Sequence, residues 1–162
     1  MAFPFFDFEQ DFVGDLRCIP MVVRHRLDTC GVKLKLDHWN RFSKAERQAL
    51  IDWPCDSANE VERYREQLQA LVEERSGAPA KEISPDPLWR KRSVIPTAVA
   101  DKFRAQQVPL SVEQWASLDE LQRFALVKLS RASHENHNFM PAVREFGLAP
   151  HPKLNVPDKS LD

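Results

Sequence analysis

Two histidines near the C-terminal end of the chain, His134 and His137, have side chains and a spacing that could bind a metal ion. Glu135 lies between them and adds a carboxylate. Zinc needs three or four such ligands, so at least one more would have to come from elsewhere in the chain. No cysteine or other histidine has a spacing that implies convergence on this pair. A small metal-binding domain that uses His134 and His137 with a cysteine is therefore the alternative hypothesis for function.

The same segment also has the residues of a turn between two helices. Asn138 suits the position before a helix, and Pro141 suits the first turn of that helix. His134 and His137 would then lie in the turn and not on one helical face. Asn136 and Asn138 would satisfy backbone groups of the turn. We prefer this structural interpretation, which also makes the turn a candidate recognition surface.

No complete catalytic or cofactor motif occurs in the sequence, which lacks GxSxG, a Gly-rich phosphate loop and HExxH. A net charge of −1 is not the charge of a nucleic-acid-binding protein. No apolar run approaches the ~20 residues that cross a bilayer, and no signal peptide is predicted, so we expect a cytoplasmic protein. The cysteines (Cys18, Cys30 and Cys55) lack CxxC spacing and are predicted to be free thiols.

Helix-start signals and helical periodicity predict an all-α fold. Pro20 suits the first turn of a helix, which Gly31 would end in the left-handed conformation. Two capping boxes open further helices, and their residues are Ser43 with Glu46 and Ser57 with Glu60. The second of these helices is long, and a loop rich in proline follows it at 76–87.

The pattern then repeats, because residues 19–50 align without a gap on residues 95–126 at an offset of 76. The identical pairs include Ile19/Ile95, Pro20/Pro96, Val23/Val99, Val32/Val108, Leu34/Leu110, Trp39/Trp115, Arg47/Arg123, Ala49/Ala125 and Leu50/Leu126. A shared tryptophan and a shared Ile-Pro in one register make chance similarity the weaker explanation. We therefore predict two duplicated helical halves, packed with pseudo-twofold symmetry in a closed domain.

The sequence as a whole predicts a compact single all-α domain over residues 1–148, a bundle of about six helices. The stretch "DELQRFALVKLS" is apolar nearly all round, which is typical of a central, buried helix. Residues 149–162 are polar and rich in proline, and are predicted to be a disordered tail.

Charge and aromatic residues are unevenly distributed in the first part of the chain. The segment "FPFFDFEQDF" interleaves phenylalanines with acids. We expect Phe6, Phe8 and Phe12 to cover the helical core. The alternative is that the segment is a docking strand for a basic partner. Residues 1–16 hold four acids and no base, whereas residues 24–47 hold seven bases and three acids. We predict that these two regions pair within the fold.

The stretch from Phe6 to Ser43 resembles the start of the nitrate reductase-associated protein family. The residues that carry the resemblance are the Phe-Asp-Phe-Glu opening, the run Leu16-Arg17-Cys18-Ile19-Pro20-Met21, the Leu27-Asp28 and Cys30-Gly31 steps, and Lys33-Leu34-Lys35-Leu36. The closing "HENHNFMPAVREFGL" is similar to the end of the same family. The resemblance therefore spans residues 6 to about 148.

This resemblance implies a small accessory protein that is not itself a reductase. The sequence agrees with a non-catalytic role, and we expect no cofactor. Such proteins, known mostly from cyanobacteria, are typically encoded near nitrate reductase or molybdopterin biosynthesis genes. The implied partner is nitrate reductase, a molybdenum-cofactor enzyme whose activity or maturation the protein would support by binding. The segments most similar to the family would form the binding surface, with the candidate residues Asp7, Phe8, Glu9, Arg17, Arg24, Asp28, His134, Asn136 and Asn138.

Overall fold

Nine α-helices follow one another along the residues that the computed structural model describes, 5–131 and 136–150. They are α1 (Gln10–Val13), α2 (Met21–Cys30), α3 (Leu36–Arg41), α4 (Lys44–Asp52), α5 (Ala58–Ser76), α6 (Thr97–Ala105), α7 (Val112–Ser117), α8 (Glu120–Arg131) and α9 (Phe139–Glu145). Three 3-10 turns cover Asp7–Glu9, Leu88–Arg90 and Asn136–Asn138. The all-α prediction is confirmed. Helices outnumber the predicted six because α1, α3 and α7 are short, separate helices of four to six residues.

A two-stranded antiparallel sheet joins the end of α2 to the central loop. Strand β1 (Val32–Lys33) pairs with strand β2 (Lys81–Glu82), which lies inside the predicted loop 76–87. Gly31 has φ 75°, and a Cβ there would collide with the carbonyl oxygen of Ile83. Only glycine allows this close approach, because it has no Cβ and tolerates positive φ.

The two predicted capping boxes are confirmed. The hydroxyl of Ser43 accepts a hydrogen bond from the Glu46 N–H at 3.1 Å, and the Ser43 N–H donates to the Glu46 carboxylate at 2.8 Å. Ser57 and Glu60 make the same pair of bonds at 3.1 and 2.9 Å. Both satisfy backbone donors that the first turn of a helix leaves free.

The described core consists of two hydrophobic clusters, one in each half of the chain. Trp39 is fully buried in the first cluster and donates its indole N–H to the carbonyl of Leu16 at 2.8 Å. Trp115 is fully buried in the second and donates to the carbonyl of Lys91 at 2.8 Å. The middle of helix α8 is buried, as its apolar sequence predicts.

Helix bounds in the two halves follow the offset of the sequence repeat. Helix α7 has the bounds of α3 shifted by 76 residues. The first residue of α6 likewise lies 76 residues after that of α2, and the first residue of α8 lies 76 residues after that of α4. The correspondence between the two halves ends with the next helix of each. In the first half this helix is α5, with 19 residues, and in the second it is α9, with seven. These bounds are consistent with a duplication, which itself stays a prediction.

Helix α2 packs against both clusters and joins the two halves. Met21 belongs to the second cluster, whereas Leu27 belongs to the first. The ring of His25 meets Phe124 of α8 edge-on, with 5.2 Å between centroids. One turn further along α2, Asp28 forms an ion pair with Lys128 of α8. The surface between α2 and α8 is therefore held in place by contacts from both halves.

The N-terminal segment folds back onto the second cluster. Phe6 stacks on Phe8 with 5.4 Å between ring centroids, and Phe6 also contacts the ring of Phe146 at 5.2 Å. The prediction that this segment covers the core is confirmed for Phe6 and Phe8, while the side chain of Phe12 lies outside the described ones. No helix in the described part of the chain is long and apolar enough to span a membrane. From residue 151 on, the predicted tail is likewise outside the described residues.

Candidate functional site

An open groove of about 530 Å³ lies along α2, between β1, the start of α3 and α8. We call it the α2 groove and define it by six of its lining residues: Arg24, Asp28, Lys33, Leu36, Ile83 and Lys128. It has the size of a small-molecule or peptide site.

Local structure explains how these side chains come together. Arg24 and Asp28 are four residues apart on α2 and so lie on one helical face. Pairing of β1 with β2 brings Ile83 beside the end of α2, where its N–H donates to the Gly31 carbonyl at 2.7 Å. Lys128 enters from α8. The groove is thus assembled from segments far apart in the sequence.

Positive charge dominates the groove, with three cationic side chains and one carboxylate. The carboxylate of Asp28 lies 2.6 Å from the ammonium of Lys128, so these two charges compensate one another. The guanidinium of Arg24 donates to the Ile19 carbonyl at 3.1 Å. Within residues 5–131 and 136–150, neither Arg24 nor Lys33 forms an ion pair. Two cations of the groove are therefore available to an acidic ligand.

Among the residues whose positions are described, the predicted pairing between the acidic N-terminal region and the basic region at 24–47 involves no ion-pair contact. Asp15 instead pairs with its neighbour Arg17. Glu9 is buried, and the charge of Arg24 acts on it without an ion-pair contact. Arg24 is thus influenced by an acid of the N-terminal region, whereas Lys33 has no ion-pair partner among the described residues.

Apolar side chains flank the groove on two sides. Leu36 is 53% exposed and Ile83 is 40% exposed, and both line the groove. A single exposed aliphatic residue is ordinary on a protein surface. Two at the edges of one positively charged groove form an amphipathic surface, which suits a ligand that is both apolar and acidic.

Glu9, one of the candidate binding residues, caps α2 although it lies twelve residues before Met21, the first residue of that helix. It is only 1% exposed, and its carboxylate accepts hydrogen bonds from the N–H groups of Met21 at 3.0 Å and Phe6 at 3.1 Å. Pro20, at the N-cap of α2, supplies no side-chain acceptor, so Glu9 takes that role. Burial raises the pKa of Glu9, and the two backbone hydrogen bonds and Arg24 oppose that rise. We leave Glu9 out of the proposed binding surface because it is buried.

Of the remaining candidates, Asp7 and Arg17 are exposed and Phe8 is half-buried beside α9. Asn138 precedes α9 as predicted, but its side chain makes no capping hydrogen bond. The reason is that the 3-10 turn before it holds Asn138 at φ −91° and ψ −12°, whereas a capping side chain needs an extended backbone. His134 is outside the described residues, as is the side chain of Asn136.

The structure thus places two sequence-predicted residues, Arg24 and Asp28, in one groove. Sequence reasoning missed Lys128 as a member of this site, and no signal in the sequence connects α8 with α2. Lys33 and Leu36 lie in the Lys-Leu-Lys-Leu string that carries the family resemblance, and that string could have indicated them.

A metal site is not found among the described residues, which contain no group of three or more His, Cys, Asp and Glu able to hold an ion. His137 is exposed, and His134 lies outside the described part of the chain, so the histidine-pair hypothesis stays an untested prediction. All three cysteines are free, as predicted. Burial raises the pKa of the Cys30 thiol to about 12 and that of Cys55 to about 11, which keeps both protonated at neutral pH.

His25, on the opposite edge of α2 from the first cluster, gives a testable pH dependence. Its Nε2 lies 3.2 Å from the Glu120 carboxylate without the alignment of a hydrogen bond, and its ring packs edge-on against Trp89 and Phe124. Burial lowers the pKa of His25, which Glu120 partly opposes. As the pH falls, His25 of the unfolded chain therefore takes up a proton near pH 6.5, whereas His25 of the folded protein does so only at lower pH. Protonation thus favours the unfolded state, and the protein loses stability as the pH falls below 6.5.

We expect the wild-type protein to lose more stability between pH 8 and pH 5 than the variant His25→Asn, which cannot titrate there. Urea unfolding of both proteins at each pH measures the difference. Parallel stability curves would contradict the assignment of this loss to His25.

Fold and groove together define a small, mostly α-helical protein with an open, positively charged groove. The chain belongs to the conserved nitrate reductase-associated protein family, whose model matches residues 5–146. The resemblance stated from the sequence is therefore confirmed. Neither the search of curated proteins nor that of solved structures found a similar protein.

Proposed function

We propose that this protein is a non-catalytic accessory protein of the cytoplasm that binds nitrate reductase and supports its activity or maturation. The observation that carries the proposal is the family match across nearly the whole chain, since the family is described by its association with nitrate reductase. That description supports an accessory role, because it names a protein associated with the reductase.

The α2 groove supports binding as the mode of action. It is open and carries exposed aliphatic side chains next to two cations without ion-pair partners, features that favour contact with another macromolecule. Arg24 and Asp28, which the family resemblance also singled out, lie within it. The proposed surface consists of the α2 groove together with the exposed residues Asp7 and Arg17.

Maturation is the step at which such binding would act. Nitrate reductase must receive a molybdenum cofactor, and a bound accessory protein would hold the apoenzyme in an open, cofactor-accepting state. Binding of this kind stabilises one conformation of the partner by mass action and needs no catalytic group on the accessory protein.

The proposal predicts a specific defect in cells that lack this gene. Nitrate reductase activity and inserted molybdenum cofactor should fall together, while the amount of reductase protein stays unchanged. Enzyme assay, cofactor release and immunoblotting on the same extracts provide the three measurements. Complementation with the wild-type gene is the control.

A second experiment tests the physical association directly. We expect tagged protein to retain nitrate reductase on a column at low ionic strength and to release it as salt rises, because exposed charges are screened at high salt. Unchanged reductase activity in the deletion strain, together with no retention at low salt, would refute the proposed function.

A further inference from the structure

We infer that the α2 groove binds an acidic segment of a partner polypeptide, one in which an apolar side chain lies next to carboxylates. This inference rests on the proposed function for the identity of the partner, nitrate reductase. It adds the chemical character of the segment that is recognised and the residues that recognise it.

Charge supplies the first argument. Lys33 is exposed, and it forms no ion pair within the described parts of the chain. The Arg24 guanidinium has only the Ile19 carbonyl as a hydrogen-bond acceptor there. The one carboxylate of the groove, Asp28, is already held by Lys128 at 2.6 Å. The groove therefore presents net positive charge, chiefly at the exposed Lys33, to which carboxylates of a partner are complementary.

Apolar exposure supplies the second argument. Leu36 and Ile83 come from different segments, yet both line the same groove, and Leu34 adds a half-buried side chain beside them. Covering these side chains removes apolar surface from water, which a bare carboxylate group would not do. An aliphatic or aromatic residue of the partner would occupy this part of the groove while its acidic neighbours meet Lys33 and Arg24.

The shape of the groove favours a segment of polypeptide over a free small anion. A pocket for a small molecule encloses most of its ligand, whereas two of the apolar side chains at this groove remain at least 40% exposed. A small anion at Arg24 would leave Leu36 and Ile83 in water. A chain segment running along α2 would cover the cations and the aliphatic side chains together.

Photocrosslinking tests this inference. The photoreactive amino acid p-benzoylphenylalanine replaces Leu36 in the full chain. The variant is expressed in cells of the source organism in place of the native protein. Val94 provides a matched control position, because it is an aliphatic residue with 56% exposure that does not line the groove. After irradiation, mass spectrometry identifies the crosslinked peptide of the partner.

We expect crosslinks from position 36 to reach a segment that contains several Asp or Glu residues next to an aliphatic or aromatic one, and crosslinks from position 94 not to reach it. A segment of nitrate reductase would support this inference and the proposed function together. An acidic segment of another protein would support the groove's specificity and contradict the proposed partner. Crosslinks to a segment without acids, or no crosslink at all, would overturn the inference even if nitrate reductase were retained on the column.

Charge reversal in the groove gives an independent readout. We expect Lys33→Glu to weaken binding of the captured partner at least about threefold and to reduce its salt dependence, because a carboxylate would then face carboxylates. Lys35→Glu is the control, since it makes the same change on an exposed side chain outside the groove lining. Equal affinities and equal salt dependence of the two variants would overturn the inference.

Discussion

Replacing Trp39 with alanine is expected to lower the free energy of unfolding by about 3–5 kcal/mol, the usual cost of removing a buried tryptophan. Its indole is fully buried and donates to the Leu16 carbonyl at 2.8 Å, and the Arg47 guanidinium lies 5.7 Å from its ring centroid. Trp115→Ala should cost a similar amount, since Trp115 is fully buried and donates to the Lys91 carbonyl at 2.8 Å. Urea unfolding followed by circular dichroism measures both losses.

Phenylalanine at the same positions separates packing from hydrogen bonding, because it fills most of the space and has no N–H. At position 39 the Leu16 carbonyl keeps a second donor, the guanidinium of Arg47 at 3.0 Å. We therefore expect Trp39→Phe to cost less than Trp115→Phe, by about 1 kcal/mol. If either alanine variant lost less than about 1 kcal/mol, that tryptophan would not be a core anchor of its half.

Replacing Glu9 with alanine is expected to cost about 2–4 kcal/mol, because it leaves one buried and one partly buried backbone N–H group without this acceptor. Those groups belong to Met21, the first residue of α2, and to Phe6, which stacks in the N-terminal aromatic cluster. Loss of Glu9 should therefore loosen the N-terminal segment and the start of α2 together. Hydrogen exchange of these two amides, alongside the free energy of unfolding, would locate the effect.

The control for Glu9→Ala is Asp7→Ala, which removes an exposed acid from the same segment. The Asp7 carboxylate accepts one hydrogen bond, from the exposed side chain of Gln10 at 3.2 Å, so we expect a change within about 0.5 kcal/mol. Equal losses in the two variants would show that the cap at α2 is not what Glu9 contributes.

Glu9→Gln tests the same residue through pH. Burial raises the pKa of Glu9 in the folded protein above its unfolded value of 4.5, so the folded form binds this proton more tightly. The stability that the proton confers is full below 4.5 and is lost as the pH rises through the folded pKa. The wild type should therefore gain stability relative to Glu9→Gln as the pH falls from neutral toward 4.5. A constant difference across that range would contradict the assignment.

The features that the sequence predicts correctly are those set by residues near one another in the chain. The capping boxes at Ser43 and Ser57 need only the Glu three positions later, and Gly31 ends α2 through its own backbone conformation. Asn138 shows the limit of this reasoning: the preceding 3-10 turn fixes a backbone conformation that prevents side-chain capping. Local preference fails where a neighbouring turn determines the dihedral angles.

The candidate site was only partly predictable, because its members converge through tertiary packing. Arg24 and Asp28 share a helical face, which spacing alone indicates, but Lys128 joins them only because α8 packs on α2. Glu9 was expected at a binding surface because its segment resembles the family. It is buried instead because the start of α2 lacks an acceptor of its own, a need that becomes visible only when the segments are seen together.

Helix α2 contributes side chains to both hydrophobic clusters, Met21 to one and Val23 and Leu27 to the other. Neither cluster can therefore be dismantled alone, since losing α2 removes part of each. The consequence is cooperativity: we expect the two halves to melt in a single transition, although each surrounds its own tryptophan. A chain cut at the central loop would yield a C-terminal fragment without Met21, which would need the N-terminal fragment to complete its core.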